Sequence, residues 1–291
     1  MHADVIDRSA PQSALTSRDA ARRIAVLAIR SLHTELRLHP KPGLVTPIDN
    51  GSHHDMTAAT FLRSLFALRH YFVQIAQAGC NAASFEVLRD LGIAAEYTMM
   101  RATGGINTHR GAIFAVGMMA AAIGGVSTAC TKKEINPDDV RHVLSQHWGA
   151  ALQRHAHAVN HHGAKLINGA RAEAASGFMS IFDLALPALR HALTLRRSWP
   201  HACIDTLFVL IAQIDDTNVV HRGGAAGAAE VRALAQQFID AGATGNPEWE
   251  RRAAHIGARF VALNVSPGGA ADLLAATCLV HWSTTLQGPL A

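Results

Sequence analysis

The sequence is short of charge, of paired cysteines and of strand-like alternation. Asp, Glu, Lys and Arg make up only 16% of the 291 residues, too little for a self-repelling disordered chain. The 49% hydrophobic content is enough to bury a large core. Basic residues outnumber acidic ones only 26 to 22 and are dispersed, which argues against nucleic acid as a partner while suiting phosphorylated small molecules. Cys80, Cys130, Cys203 and Cys278 stand far apart with no CxxC pair. A zinc knuckle or disulfide framework is therefore not expected, and the four read as reduced core residues. The first twenty residues, MHADVIDRSAPQSALTSRDA, have no apolar run behind a basic start, so no secretory signal is read and a cytoplasmic location is expected.

Apolar residues recur instead at helical spacing, and the expected fold class is all-α, a single compact domain of roughly ten or more helices. The spacing predicts helices over about 18–37, 56–79, 84–102, 110–126, 137–154, 162–176, 180–198, 201–216, 224–241, 247–264 and 268–286. A flexible N-terminal segment, 1–17, would precede the helical domain, 18–291. Asn136-Pro137-Asp138-Asp139 and Asn246-Pro247-Glu248 each combine a cap, a first-turn proline and acids that favour a helix N-terminus. Pro187 should kink or break its helix. The stretch GAIFAVGMMAAAIGGVSTAC, 111–130, is charge-free over a membrane-spanning length, but it is built of Ala and Gly and stands alone, so a buried core helix is expected and no membrane association.

Turn chemistry and titratable groups concentrate in a few places. HPKPGLVTPIDNGSHHDM, 39–56, packs them between two amphipathic helices, where loop residues aimed by a packed scaffold commonly carry function. TGGINTHRG, 103–111, reads as a plain helix corner or as a phosphate seat of open amides beside Arg110. It matches neither the GxxxxGK[ST] nor the strand-borne GxGxxG fingerprint. In LFVLIAQIDDTNVVHRGG, Asp215 and Asp216 close an apolar helix at its negative end, where they need compensation from Arg222 and solvent or from a divalent cation such as Mg²⁺. SPGGAAD, 266–272, looks like a helix start capped by Ser266, with Gly268 and Gly269 admitting a ligand to open amides; Asp272 either complements the dipole or serves that ligand. His155, His157, His161 and His162 include one pair spaced for zinc, but without HExxH exposed or internally bonded histidines are the favoured reading.

KPGLV with NGSHHDM, GINTHRGAIFAVG, GARAEAASGF, DTNVVHRGG and SPGGAADLLA occur in one order across about residues 35–275. Together they resemble the triphosphoribosyl-dephospho-CoA synthase family, all-helical enzymes that serve citrate lyase and malonate decarboxylase. Ser52, Arg110 and Met179 depart from the residues the family commonly has there. The resemblance implies that the ribose 2′-hydroxyl of 3′-dephospho-CoA attacks C1 of the ATP ribose and expels adenine, with inversion through an oxocarbenium-like transition state. It implies Mg²⁺ on Asp215 and Asp216 with help from Asp55, which counts among the catalytic residues for that reason, and proton transfer on Glu35, His53, His109 or Asp272. It implies substrate and phosphate contacts from Lys41, Gly43, Asn107, Arg110, Gly111, Arg171, Asn218, Arg222, Gly223, Ser266, Gly268 and Gly269. A downstream holo-acyl-carrier-protein synthase would use the product, with the malonate decarboxylase branch favoured over citrate lyase and self-association left open. The rivals are a metal-dependent hydrolase of a ribosyl or phosphorylated substrate and a non-catalytic nucleotide-binding protein.

Overall fold

A computed structural model describes residues 17–129, 135–158 and 169–285. The expected flexible segment up to residue 16, Cys130, and the side chains of His157, His161 and His162 lie outside the described residues. No strand occurs among those described. The helices are α1 (Ser17–Arg37), α2 (Ala58–Cys80), α3 (Phe85–Ala102), α4 (Arg110–Ala129), α5 (Pro137–Val143), α6 (Gly149–Ala158), α7 (Ala170–Ala175), α8 (Leu186–Thr194), α9 (Trp199–Gln213), α10 (Thr217–Asp240), α11 (Trp249–Ala262) and α12 (Gly268–Thr285).

The charge-free stretch is α4, and it lies at the centre of the molecule, against α1, α2, α3, α5 and α12. The span Arg110–Ser127 is long and apolar enough to cross a membrane, but 78% of it is buried inside the fold. Its small residues are what let neighbours come close. A Cβ on Gly79 of α2 would lie 2.0 Å from the Ala121 carbonyl oxygen, and one on Gly124 would lie 2.4 Å from the Ala76 carbonyl oxygen. The two backbones thus touch through glycine on both sides. We expect Gly79→Ala to lower stability by roughly 1–3 kcal/mol, because the overlap is with rigid backbone and outweighs the ~1 kcal/mol that Ala gains in helix propensity. Thermal unfolding checks this; a midpoint at or above wild type would show that the helices can separate freely. α12 is also buried nearly all round, from Ala270 to Trp282, so α4 and α12 form the inner layer and the more amphipathic helices wrap them.

Local signals place most ends. Asn136 accepts from the Asp139 N–H at 2.8 Å and donates its own N–H to the Asp139 carboxylate, a reciprocal cap with Pro137 in the first turn. A π-helical turn, Ser180–Ala185, runs into α8 just ahead of Pro187, which is where the proline disturbs its helix. Asn246 does not open a helix itself: its side chain accepts from the Glu248 N–H and donates to the Ala241 carbonyl, and α11 begins at Trp249. The largest revision falls near Asp216. α9 ends at Gln213, before the two aspartates, and α10 begins at Thr217, with only Gly224 (φ 66°) out of helical geometry inside it. Cys203 and Cys278 are buried thiols, their sulfurs 3.9 Å apart.

Candidate active site

Every site residue named from the sequence except Lys41, Gly43 and Gly223 borders one cavity of about 1070 Å³. Four elements build its most polar end: the 39–56 loop, the N-terminus of α4, and the starts of α10 and α12.

The loop is anchored rather than free. Gly43 (φ 68°) and Gly51 (φ 56°) adopt left-handed backbone, and a Cβ on Gly43 would lie 2.5 Å from the Val265 carbonyl oxygen. The Ser52 hydroxyl donates to that same oxygen at 2.7 Å, while Arg222 donates to the Ser52 carbonyl and to Asn264, each at 2.7 Å. A Cβ on Gly223 would meet the Val265 side chain. Gly43 and Gly223 are therefore close-packing residues, away from the cavity lining. His53 follows, its Nε2 2.9 Å from Ser266 Oγ and its Nδ1 3.8 Å from an Asp55 carboxylate oxygen. Burial and then the Arg222 charge lower the His53 pKa, with Asp55 opposing, so the ring is neutral at neutral pH.

Lys41 departs most from expectation. Its ammonium is buried, donates to the Glu35 carbonyl at 2.8 Å and forms an ion pair with the Glu35 carboxylate. Burial lowers its pKa and Glu35 opposes the shift. The enclosed ammonium is matched by Glu35, and Lys41 is not among the residues that border the cavity. Glu35 itself borders the cavity.

Asp216 also revises a reading. It caps α10 by accepting from the Asn218 N–H at 2.8 Å and reaches across to accept from the Ala270 N–H of α12 at 3.1 Å. The Val219 and Gly269 amides also bond to it, although burial still raises its pKa overall. One carboxylate thus fills the anion seats of two helix starts. At the helix start where Gly268 and Gly269 were expected to admit a ligand to open amides, the Gly269 and Ala270 amides are already bonded to Asp216, and Ser266 Oγ faces His53. At α4, Asn107 accepts from the Arg110 N–H, and the Arg110 guanidinium is held by Glu96 at 3.1 Å.

Asp272 stands one turn into α12 and reaches the first turn of α4. A Cβ on Gly111 would lie 2.0 Å from its Oδ2, so only glycine admits the carboxyl there, and the Ala112 N–H donates to it. Burial first, then the Glu35 and Asp216 charges, push its pKa well above the carboxylate range. Burial there favours the protonated, neutral form of the carboxyl. Nearby, His109 bonds through Nδ1 to Ser64 at 2.7 Å and meets Phe61 edge-on. Burial and the Lys41 charge hold its pKa down to about 3, so it is a neutral ring with no proton to give as an acid. Its Nε2 and the Thr108 hydroxyl are buried beside the cavity without partners.

The three carboxylates expected to hold Mg²⁺ border the same space in different states. Asp216 is saturated by amides, Asp215 is exposed and paired with Arg232 at 3.0 Å, and Asp55 is exposed beside His53. Among the described residues no group of three metal-ligating side chains converges. Asp55 and Asp215 fit a cation that arrives already bound to phosphates, which needs only one or two protein carboxylates; they do not form a resident cage.

The opposite wall was not anticipated. Arg89, Gly92, Ile93 and Glu96 of α3, Phe114, His155 of α6, and Glu173 and Phe178 also line the cavity, together with the expected Arg171 of α7. The spacing of residues 89, 92, 93 and 96 puts them on one helix face, and that face mixes charge, glycine and an exposed isoleucine where a core stripe would be uniformly apolar.

A family model described as ATP:dephospho-CoA triphosphoribosyl transferase matches residues 21–288. The chain is 37% identical over 265 residues to a probable 2-(5''-triphosphoribosyl)-3'-dephosphocoenzyme-A synthase of Acinetobacter calcoaceticus, covering 88% of this chain and 89% of that one. It is 38% identical to the 2-(5''-triphosphoribosyl)-3'-dephosphocoenzyme-A synthase of Pectobacterium atrosepticum, with 86% of each covered. It is 34% identical to the Escherichia fergusonii enzyme of that name, with 94% and 95% covered. No solved structure matches the chain.

Proposed function

Because the chain belongs to the ATP:dephospho-CoA triphosphoribosyl transferase family, we propose that this cavity holds ATP and 3′-dephospho-CoA together and that His53 and Asp272 move the protons of the transfer. The new bond joins the 2′-oxygen of dephospho-CoA to C1 of the ATP ribose; the bond that breaks releases adenine. The observation that carries the assignment is a pair of titratable groups driven in opposite directions within one cavity, the histidine toward its neutral form and the aspartate toward its protonated form.

Neutral His53 takes the 2′-hydroxyl proton at Nε2, the nitrogen now facing Ser266, while Asp55 on the other side of the ring stabilises the imidazolium that forms. Asp272 gives its proton to a ring nitrogen of the departing adenine, and its resulting carboxylate faces the positive charge that develops on the ribose. Direct displacement inverts the configuration at C1. Arg222, fixed by Ser52 and Asn264, and Arg110, fixed by Glu96, supply positive charge for the triphosphate. Magnesium bound with ATP would offset the phosphate charge, and Asp55 and Asp215 would be the carboxylates to hold it.

Purified chain incubated with ATP, Mg²⁺ and 3′-dephospho-CoA should release adenine and yield an acceptor heavier by the triphosphoribosyl group, both read by mass spectrometry. Adenine release that does not need dephospho-CoA would instead make the chain a hydrolase. We place the product on the route to malonate decarboxylase rather than citrate lyase, on the character of DTNVVHRGG. Transfer of the product to one purified apo-carrier protein and not the other decides between them.

A further inference from the structure

We propose that the end of the cavity between α3, α6 and α7 is the seat of the phosphopantetheine arm of the CoA-type substrate, with Arg89 and Arg171 on its diphosphate and Phe85, Leu88 and Ile93 along the uncharged pantetheine. The proposal rests on the transferase reading above and extends it to residues outside the reacting centre.

Distance along α3 makes this a separate end. Glu96 is held by Arg110 at 3.1 Å, which places its turn of α3 at the N-terminus of α4, beside the turn that Asp272 meets. Arg89 lies seven residues earlier on the same face, about 10 Å away at the helical rise of 1.5 Å per residue. There it joins His155 and Arg171: both guanidiniums lie close enough to the His155 ring to oppose its protonation, after burial. The Phe85 ring meets the same histidine edge-on at 5.4 Å. Both acids on this side of the cavity are engaged elsewhere, Glu96 by Arg110 and Glu173 by the N–H and hydroxyl of Ser180, each at 2.8 Å. Arg89 has the exposed Asp90 at 3.0 Å and Glu86 of its own helix beside it, and with Arg171 it puts two guanidiniums on the cavity lining next to the apolar side chains of Phe85, Leu88 and Ile93.

The substrate has that sequence of chemistries. Its reacting hydroxyl is on the ribose, and from the other end of that sugar run two phosphates and then a flexible, uncharged chain. With the ribose at His53 and Asp272, the diphosphate must leave the reacting centre along the cavity, and the apolar arm must follow it. A space of about 1070 Å³ is at the upper limit for a single small ligand, ~300–1,000 Å³, as expected where two nucleotides meet.

The test is steady-state kinetics of Arg89→Glu/Arg171→Glu, both exposed positions, with helix content checked by circular dichroism. KM for 3′-dephospho-CoA should rise at least ~10-fold, the loss expected for charge-assisted phosphate contacts, with KM for ATP and kcat within about 3-fold of wild type. Ile93→Asp, which keeps both arginines, should weaken the same KM and leave ATP alone. An unchanged KM for dephospho-CoA in both variants overturns the proposal while the transferase reading stands. An equal rise in KM for ATP also overturns it, since the cations would then serve the other substrate. A wild-type chain that releases no adenine from the two substrates overturns both readings.

Discussion

Asp272→Asn is expected to release adenine about 10²–10⁴-fold more slowly than wild type, the usual worth of a general acid, while unfolding at a similar temperature. The amide has nearly the shape of a protonated carboxyl and still accepts from the Ala112 N–H, so packing against Gly111 survives while the transferable proton is lost. The pH profile gives a second readout. Burial, Glu35 and Asp216 keep Asp272 protonated well above the ordinary carboxyl range, so the wild-type rate should fall as pH rises through that raised pKa. His53 must be neutral to accept a proton, and its pKa lies below its ordinary 6.5, so the rate should also fall as pH drops through that lowered value. The asparagine variant should keep the acid limb and lose the alkaline one. A variant within 10-fold of wild type, or one with an unaltered alkaline limb, would remove Asp272 from the chemistry.

Lys41→Met should cost about 3–5 kcal/mol of stability, because it strands the Glu35 carboxylate in a buried site without its partner. For a chain of this size that is a fall in Tm on the order of 10 °C. Adding Glu35→Gln should restore much of the loss, since a neutral amide needs no counter-charge, and this double-variant recovery separates a buried pair from a general packing defect. Folded Lys41→Met should bind ATP with a KM close to wild type, because the ammonium does not border the cavity. A variant with the wild-type Tm and a large rise in KM for ATP would return Lys41 to the phosphate role read from its loop.

The contrast between these residues shows what the sequence discloses. Helical periodicity located α1 to α4 and α12 within a few residues, and the Asn136 cap needs only partners three positions away. The Ala- and Gly-rich α4 was legible as core because its composition suits close helix contact. Asp216 was misread because local context made it the tail of an apolar helix, whereas two of its amide partners lie more than fifty residues away on α12. Gly43 and Gly223 announce special backbone needs in sequence, but only the fold reveals Val265 as the cause. Glu35 lies six residues before Lys41, so their pairing was within local reach, yet nothing in the loop ranks a buried carboxylate above a phosphate. Arg89 and Ile93 escaped notice because they sit on an ordinary amphipathic helix whose exposed face becomes a cavity wall only when α6 and α7 pack opposite.

The double cap by Asp216 fixes the orientation of α12, which carries Asp272, to that of α10, which carries Arg222. The groups proposed as proton donor and phosphate cation thus lie on two helices whose first turns share one buried carboxylate. Substrates entering between them meet dipoles already aligned and need not reorganise them during turnover.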